Sequence, residues 1–227
     1  MSAALVNYWR RSACAVLFPA PRIHKKIPKP KRHIKNFAAL IAEILPLHAR
    51  GKPLEIWWQD EARVGQQGTL TRIWAKRGSR PRVLRDRRFT WAYLFGAVCP
   101  DRGVGAAIVM PTVNLDAMNK HLAEISFHVA PGSHCLLQVD GAGWHGPSET
   151  LIVPHNITLL KIPPYTPELN PVENIWEYLR GNSLSNVVWE TYDEIVQASC
   201  TAWNKLVQAP ELIKSIASRE WAKWINV

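Results

Sequence analysis

The sequence predicts an α/β domain built on a mixed sheet, with an antiparallel meander extended by parallel strands and flanked by helices. Three observations lead there. Runs of β-formers follow one another up to residue 110, and from residue 114 on helical and strand periods alternate. The 227 residues are 47% hydrophobic, enough to bury a sizeable core. No internal repeat divides the chain.

In order along the chain, residues 1–36 carry nine Lys/Arg and no Asp or Glu, with Arg22, Lys25 and Lys26 leading a basic run interleaved with Pro19, Pro21, Pro28 and Pro30. Such a segment cannot build a core, so 1–36 is expected to be a flexible arm or a truncated N-terminal region, and 37–227 the folded domain. The arm reads either as a phosphate-binding segment or as a solubilising tail. Phe37–Ala49 reads as an amphipathic helix ended by Gly51–Pro53. Leu54–Asp60 reads as a strand closing on the acidic pair Asp60–Glu61, followed by a turn at Gly65–Gly68, a short strand at Leu70–Trp74 and a basic loop at Lys76–Pro81. Phe89–Cys99 and Val104–Met110 read as a hairpin around Asp101–Gly103. Asn114–His128 has Leu115, Met118, Leu122 and Ile125 on one helical face, and Ser133–Asp140 is the mostly apolar run of a buried central strand. Gly146–Leu151 reads as the start of a short helix and Ile157–Ile162 as a strand. Tyr192–Val207 and Glu211–Trp224 read as two amphipathic helices.

The stretch Ile162–Arg180 organises the rest. Pro163, Pro164 and Pro167 fix φ, so this loop loses little entropy on ordering. Asn170 is a good N-cap, Pro171 suits the first helical position and Glu173 falls at the third. Val172, Ile175, Trp176 and Leu179 form one apolar face, with Glu173 on its flank and Glu177 further round. Two readings of Glu173 stand side by side. It closes a capping box on Asn170, or it is a carboxylate held ionised at a helix N-terminus for chemistry.

The formal net charge of +10 points to an anionic partner, nucleic acid first. Between residues 72 and 88, Arg72, Lys76, Arg77, Arg80, Arg82, Arg85, Arg87 and Arg88 face a single acid, Asp86, where a merely solvated surface would mix signs. The four cysteines are scattered without Cys-x-x-Cys spacing, which argues against a zinc site and a disulfide framework and fits a reducing cytoplasm. No apolar run approaches the roughly 20 residues of a membrane helix.

Asp60 and Asp140 both close predicted buried strands, where a carboxylate is costly unless paired, hydrogen-bonded or bound to metal. If those strands are parallel neighbours, both acids reach one edge of the sheet, and the proline loop aims Glu173 at them. Three converging carboxylates repel one another unless divalent cations relieve them, and hard oxygen donors favour magnesium or manganese. Two such ions suit an in-line phosphoryl transfer. The plain alternatives are a strand-end cap at Asp60, with Glu61 as the ligand instead, and a turn opened by Asp140.

Gln59-Asp60-Glu61, Asp140-Gly-Ala-Gly-Trp-His145 and Pro163-Pro-Tyr-Thr-Pro-Glu-Leu-Asn-Pro-Val-Glu173-Asn resemble the bacterial insertion-sequence transposases of the mariner-like superfamily, over about residues 37–224. The last motif is the most specific. The resemblance implies a ribonuclease H-like catalytic domain with Asp60, Asp140 and Glu173 as its catalytic and metal-binding triad, using two Mg2+ or Mn2+ ions. Glu61 and His145, close to these acids in the sequence, are candidates for places beside the site, and a satisfied structural histidine is the plainer reading of His145. It implies cleavage of transposon ends by water and attack of the freed 3′-hydroxyl on target double-stranded DNA, and leaves a homodimer open. Another ribonuclease H-like endonuclease, or a remnant that only binds DNA, are the rival readings. Two departures stand out. Thirty-two residues separate Asp140 from Glu173, slightly fewer than the family pattern, and residues 1–36 do not resemble a helix-turn-helix. A separate polypeptide carrying that recognition domain is therefore an expected partner.

Overall fold

The computed structural model describes residues 14–16, 37–66, 74–79, 82, 88–140, 151–161 and 170–218. Five strands form one mixed sheet: β2 (Leu54–Gly65), β4 (Trp91–Cys99), β5 (Val104–Met110), β6 (His134–Val139) and β7 (Ile157–Lys161), in the order β5-β4-β2-β6-β7. The first three pair antiparallel, and β6 and β7 extend the sheet in parallel. This is the meander with parallel extension that the succession of elements predicts. A second ribbon joins β1 (Cys14–Val16), inside the basic arm, to β3 (Trp74–Lys76).

Alternation along β2 divides the core. Ile56, Trp58, Ala62 and Val64 face one side, with Leu94 and Val98 of β4. There they pack on α3 (Val172–Leu179), α4 (Tyr192–Val207) and α5 (Pro210–Ala217) through Val172, Ile175, Trp176, Leu179, Ile195, Trp203, Leu206 and Ile213. Trp57 faces the other side, with Cys135, Leu137 and Val139 of β6, against Met118, Leu122 and Ile125 of α2 (Leu115–His128). All six residues of β6 are buried, as a strand covered on both faces requires. The side chain of Asn114 caps α2 by accepting from the Ala117 amide at 2.9 Å. The hairpin between β4 and β5 turns through Gly103, whose φ of +67° and whose closeness to Pro210 (a Cβ would sit 2.7 Å from its carbonyl oxygen) both require glycine.

The elements differ from the sequence reading at several places. The first helix, α1 (Phe37–Ile44), stops early because Pro46 supplies no amide and disfavours helical backbone before it. Leu47–Ala49 is a separate 3-10 turn, and Leu47 is 80% exposed. β2 runs five residues past Asp60, because β4 continues to pair with it and Ala62 and Val64 keep the alternation. The second short strand lies at Trp74–Lys76, and a π turn at Arg180–Leu184 follows α3. The last helix ends at Ala217 where Glu211–Trp224 was expected to continue, and residues 219–227 lie outside the described residues. No helix among the described residues is long and apolar enough to cross a membrane.

The start of β2 is fixed by Glu55, which is 8% exposed. Its carboxylate accepts from the Trp57 indole at 2.8 Å, from Arg102 Nη1 at 3.1 and 3.0 Å and from the Ala130 amide at 3.0 Å. Arg102 also donates to the His128 carbonyl at 2.9 Å, so one acid ties together the central strand, the β4–β5 turn and the end of α2. Removing it leaves three donors without their acceptor. Glu55→Ala is expected to lower stability by about 2–4 kcal/mol, the lower end reflecting the partly solvated Arg102, read as a lower urea midpoint at unchanged slope.

Candidate active site

The parallel register of β2 with β6 runs from Leu54↔His134 to Trp58↔Gln138. Carried two residues further, it sets Asp140 across from Asp60, on strands about 4.8 Å apart. Parity agrees. On β6 the odd residues face α2, so Asp140 belongs to the face that carries α3, as Asp60 does. Asp140 directly follows β6 and is exposed. Asp60 does not end its strand, as the sequence suggests. What ends there is the partner β6, and among the described residues no strand pairs with β2 on that side beyond Trp58. Both residues thus belong to the region where the sheet opens at the carboxyl ends of its parallel strands.

Helix α3 is held over this opening by two hydrogen bonds to β2. Asn170, buried, accepts from the Val172 amide at 3.2 Å and donates to the Gln59 carbonyl at 3.0 Å. The helix begins at Val172 with Pro171 at its N-cap, one residue later than the sequence suggests, so Asn170 binds the Val172 amide from just outside the helix and grips the strand one residue before Asp60. One turn on, the Trp176 indole N–H donates to Asp60 Oδ2 at 2.9 Å. The four residues predicted for the apolar face of this helix are its four buried residues, whereas Glu173 and Glu177 are exposed. Glu173 therefore projects from the first turn of a helix docked onto the strand that carries Asp60.

Burial is the largest influence on the Asp60 carboxyl, pushing its pKa up to about 7. The Trp176 hydrogen bond opposes this, and the negative charges of Glu173 and then Glu61 raise it further. Glu173 is thus within electrostatic reach of Asp60. The Glu61 side chain accepts from Gln59 Nε2 at 2.9 Å. Among the described residues no three His, Cys, Asp or Glu side chains converge closely enough to hold a metal ion as they stand. In kind, however, the donors fit a hard divalent cation: they are carboxylate oxygens, and those around Asp60 oppose its ionisation.

The basic candidates divide three ways. Lys76, Arg77 and Arg82 are exposed. Arg88 forms an ion pair with Glu190 at 2.9 Å and donates to the Trp189 carbonyl at 2.7 Å, which fixes it to the loop ahead of α4. Arg22, Lys25, Lys26, Arg72, Arg80, Arg85 and Arg87 lie outside the described residues, as do His145 and the proline loop 162–169. Sequence reasoning missed the part played by Trp176, whose position on the helical face marks it only as core, and that of Gly96, the β4 residue paired with Asp60.

The sequence pattern of the DDE superfamily endonuclease family matches residues 55–196, well over half of the chain. An uncharacterized protein of Sinorhizobium fredii (strain NBRC 101917 / NGR234), y4pE/y4sA, is 54% identical over 132 residues, 58% of this chain and 97% of that protein. Among solved structures, the mariner Mos1 paired-end complex with Mg matches at a TM-score of 0.50 and 13% identity, over 98% of this chain and 69% of that one. The Mos1 strand transfer complex matches at a TM-score of 0.47 and 15% identity, over 82% of this chain. This chain spans 60% of the length of the Mos1 chain in that complex. The paired-end complex identifies the fold as the ribonuclease H-like one that the motifs imply.

A raised carboxyl pKa fixes the sign of a pH dependence. With chelator present, the folded state holds the Asp60 proton up to about pH 7, whereas the unfolded chain releases it near its ordinary value of 3.8. The stability from this group is complete below the unfolded value and lost as pH rises through about 7, at about 1.4 kcal/mol per unit of difference. Urea unfolding in EDTA is therefore expected to give a wild type that weakens between about pH 4 and pH 7, and an Asp60→Asn variant that weakens less.

Proposed function

The chain belongs to the DDE superfamily endonuclease family, and from that premise we propose that it is the catalytic domain of a DNA transposase, acting on double-stranded DNA by metal-dependent phosphoryl transfer. The observation that carries the proposal is the β2–β6 register, which supports Asp60 and Asp140 as neighbours on the face where α3 presents Glu173. These three are the proposed catalytic and metal-binding residues, within a domain spanning 37–227.

Asp60, Asp140 and Glu173 would hold Mg2+ or Mn2+. When bound, two such ions supply an activated oxygen nucleophile and charge stabilisation at the leaving oxygen. The chain's own residues do the rest. The sheet supplies two acids from a rigid scaffold, and α3, docked through Asn170 and Trp176, supplies the third from an element that cannot rotate freely. Asp60 is itself half-buried beneath α3, with Trp176 hydrogen-bonded to its carboxyl. Lys76, Arg77 and Arg82, together with Arg22, Lys25, Lys26, Arg72, Arg80, Arg85, Arg87 and Arg88, are proposed to grip phosphates irrespective of base sequence. In the reaction proposed, water cleaves the phosphodiester at an element end, leaving a 3′-hydroxyl. That hydroxyl then attacks a target phosphodiester, displacing one 3′ oxygen as the new bond forms.

The test is nicking of supercoiled plasmid at low salt with manganese. Wild type is expected to nick, and Asp140→Ala and Glu173→Ala each to lose at least about 100-fold in rate while retaining salt-sensitive DNA binding in a filter assay. A folded, DNA-binding wild type that never nicks, alone or with element-end DNA and a helix-turn-helix partner, would leave the chain a DNA-binding remnant.

A further inference from the structure

We propose that Trp176 is a positioning residue for Asp60: its indole N–H sets the rotation of that carboxylate, and Gly96 is the opening in the sheet that lets the indole reach it. The inference rests on the reading of Asp60 as a metal ligand given above.

An indole nitrogen is a donor only, and a buried one needs an acceptor. Trp176 is 2% exposed and gives its hydrogen to Oδ2 of Asp60 at 2.9 Å. The terminal torsion of an aspartate is soft, so a fixed donor on one oxygen decides where the other points. With Oδ2 held by the indole, and a backbone hydrogen bond from Glu61 also reaching the carboxyl, the rotation of the group is fixed rather than free. The donor itself is well fixed. Its ring lies against Trp203, with centroids 6.1 Å apart, and its helix is anchored to β2 through Asn170.

Gly96 makes this arrangement possible. It is the register partner of Asp60 on β4, on the same face of the sheet. A Cβ there would lie 2.5 Å from Cη2 of Trp176 and 2.8 Å from Cζ3 of Trp203, closer than side chains pack. The indole therefore occupies the space that any other residue's side chain would fill. Trp176 also follows Glu173 by three positions on the same helix, so the bond that orients the first acid sets the height of the third above the sheet.

The experiment is Mn2+ binding by electron paramagnetic resonance, with thermal unfolding alongside, for wild type, Trp176→Phe, Gly96→Ala, Asp60→Asn and the double variant Trp176→Phe/Asp60→Asn. Phenylalanine keeps the apolar ring and deletes the donor. Trp176→Phe is expected to weaken Mn2+ binding by about 10–100-fold, the range for losing a group that orients a metal ligand. In the Asp60→Asn background the same change should alter affinity by less than about twofold, because the group it acts on is gone. Gly96→Ala, which touches no acid, should weaken binding in the same direction, and it carries the test if Trp176→Phe does not fold. Wild-type affinity in a folded Trp176→Phe, or an equal loss with and without the Asp60 carboxylate, would overturn the inference and leave Trp176 a core residue. A folded wild type with no Mn2+ affinity would instead overturn the reading of the triad, and this inference with it.

Discussion

The parallel pairing of β2 with β6 is the constraint on which the site depends. Side chains alternate along a strand, so a slip of one residue would carry every side chain of β6 to the opposite face. Asp140 would then point toward α2, and Cys135, Leu137 and Val139 would lose their packing against Met118, Leu122 and Ile125. The register that places the acids is therefore enforced by the core beneath them. β6 is buried at every position, so no weaker pairing satisfies both of its faces. The chemistry proposed here draws its geometry from burial several residues away.

Two carboxylates on β2 show what surroundings do to the same functional group. Glu55, on the α2 side, receives an arginine, an indole N–H and a backbone amide, and it ties three elements together. Asp60, five residues on and on the opposite face, receives an indole N–H, while burial first, and then the charges of Glu173 and Glu61, hold its pKa up. The first arrangement stabilises the fold, because the donors match the charge. The second opposes ionisation, and the fold tolerates it because the packing on either side is secure. One strand thus carries a carboxylate whose donors match its charge at one end and, at the other, one whose surroundings disfavour its charge.

Much of this was legible in the sequence. The apolar run of β6, the hairpin of β4 and β5, and the i, i+3, i+4, i+7 face of α3 identify the elements and their buried sides, because burial leaves a period in the residue types. The acids were legible as charges at the edge of such runs. The length of β2 was not. Beyond Asp60 its residues mix charge and small side chains, and only pairing with β4 keeps them extended. The early end of α1 was written in Pro46 but outweighed by the apolar residues around it. Trp176 and Gly96 were hidden for a different reason: each has an ordinary role, core aromatic and strand glycine, and their joint role appears only when β4, β2 and α3 are stacked.

The extension of β2 has a mechanical consequence. Past Asp60 the strand carries on to Gly65 and delivers Gln66, buried, whose amide donates to the Trp189 carbonyl at 2.8 Å and accepts from the Thr90 amide at 2.9 Å. Gln66 also donates through its backbone to Thr90 at 2.9 Å, and Arg88 closes the same junction on Glu190 and Trp189. The basic segment between residues 66 and 88 thus leaves and re-enters the sheet at one bolted point, six residues from Asp60. Arg88 belongs to that bolt, and Lys76, Arg77 and Arg82 to the segment it holds. A phosphate gripped by that segment would be referred, through one continuous strand, to the acid at the centre of the proposed site.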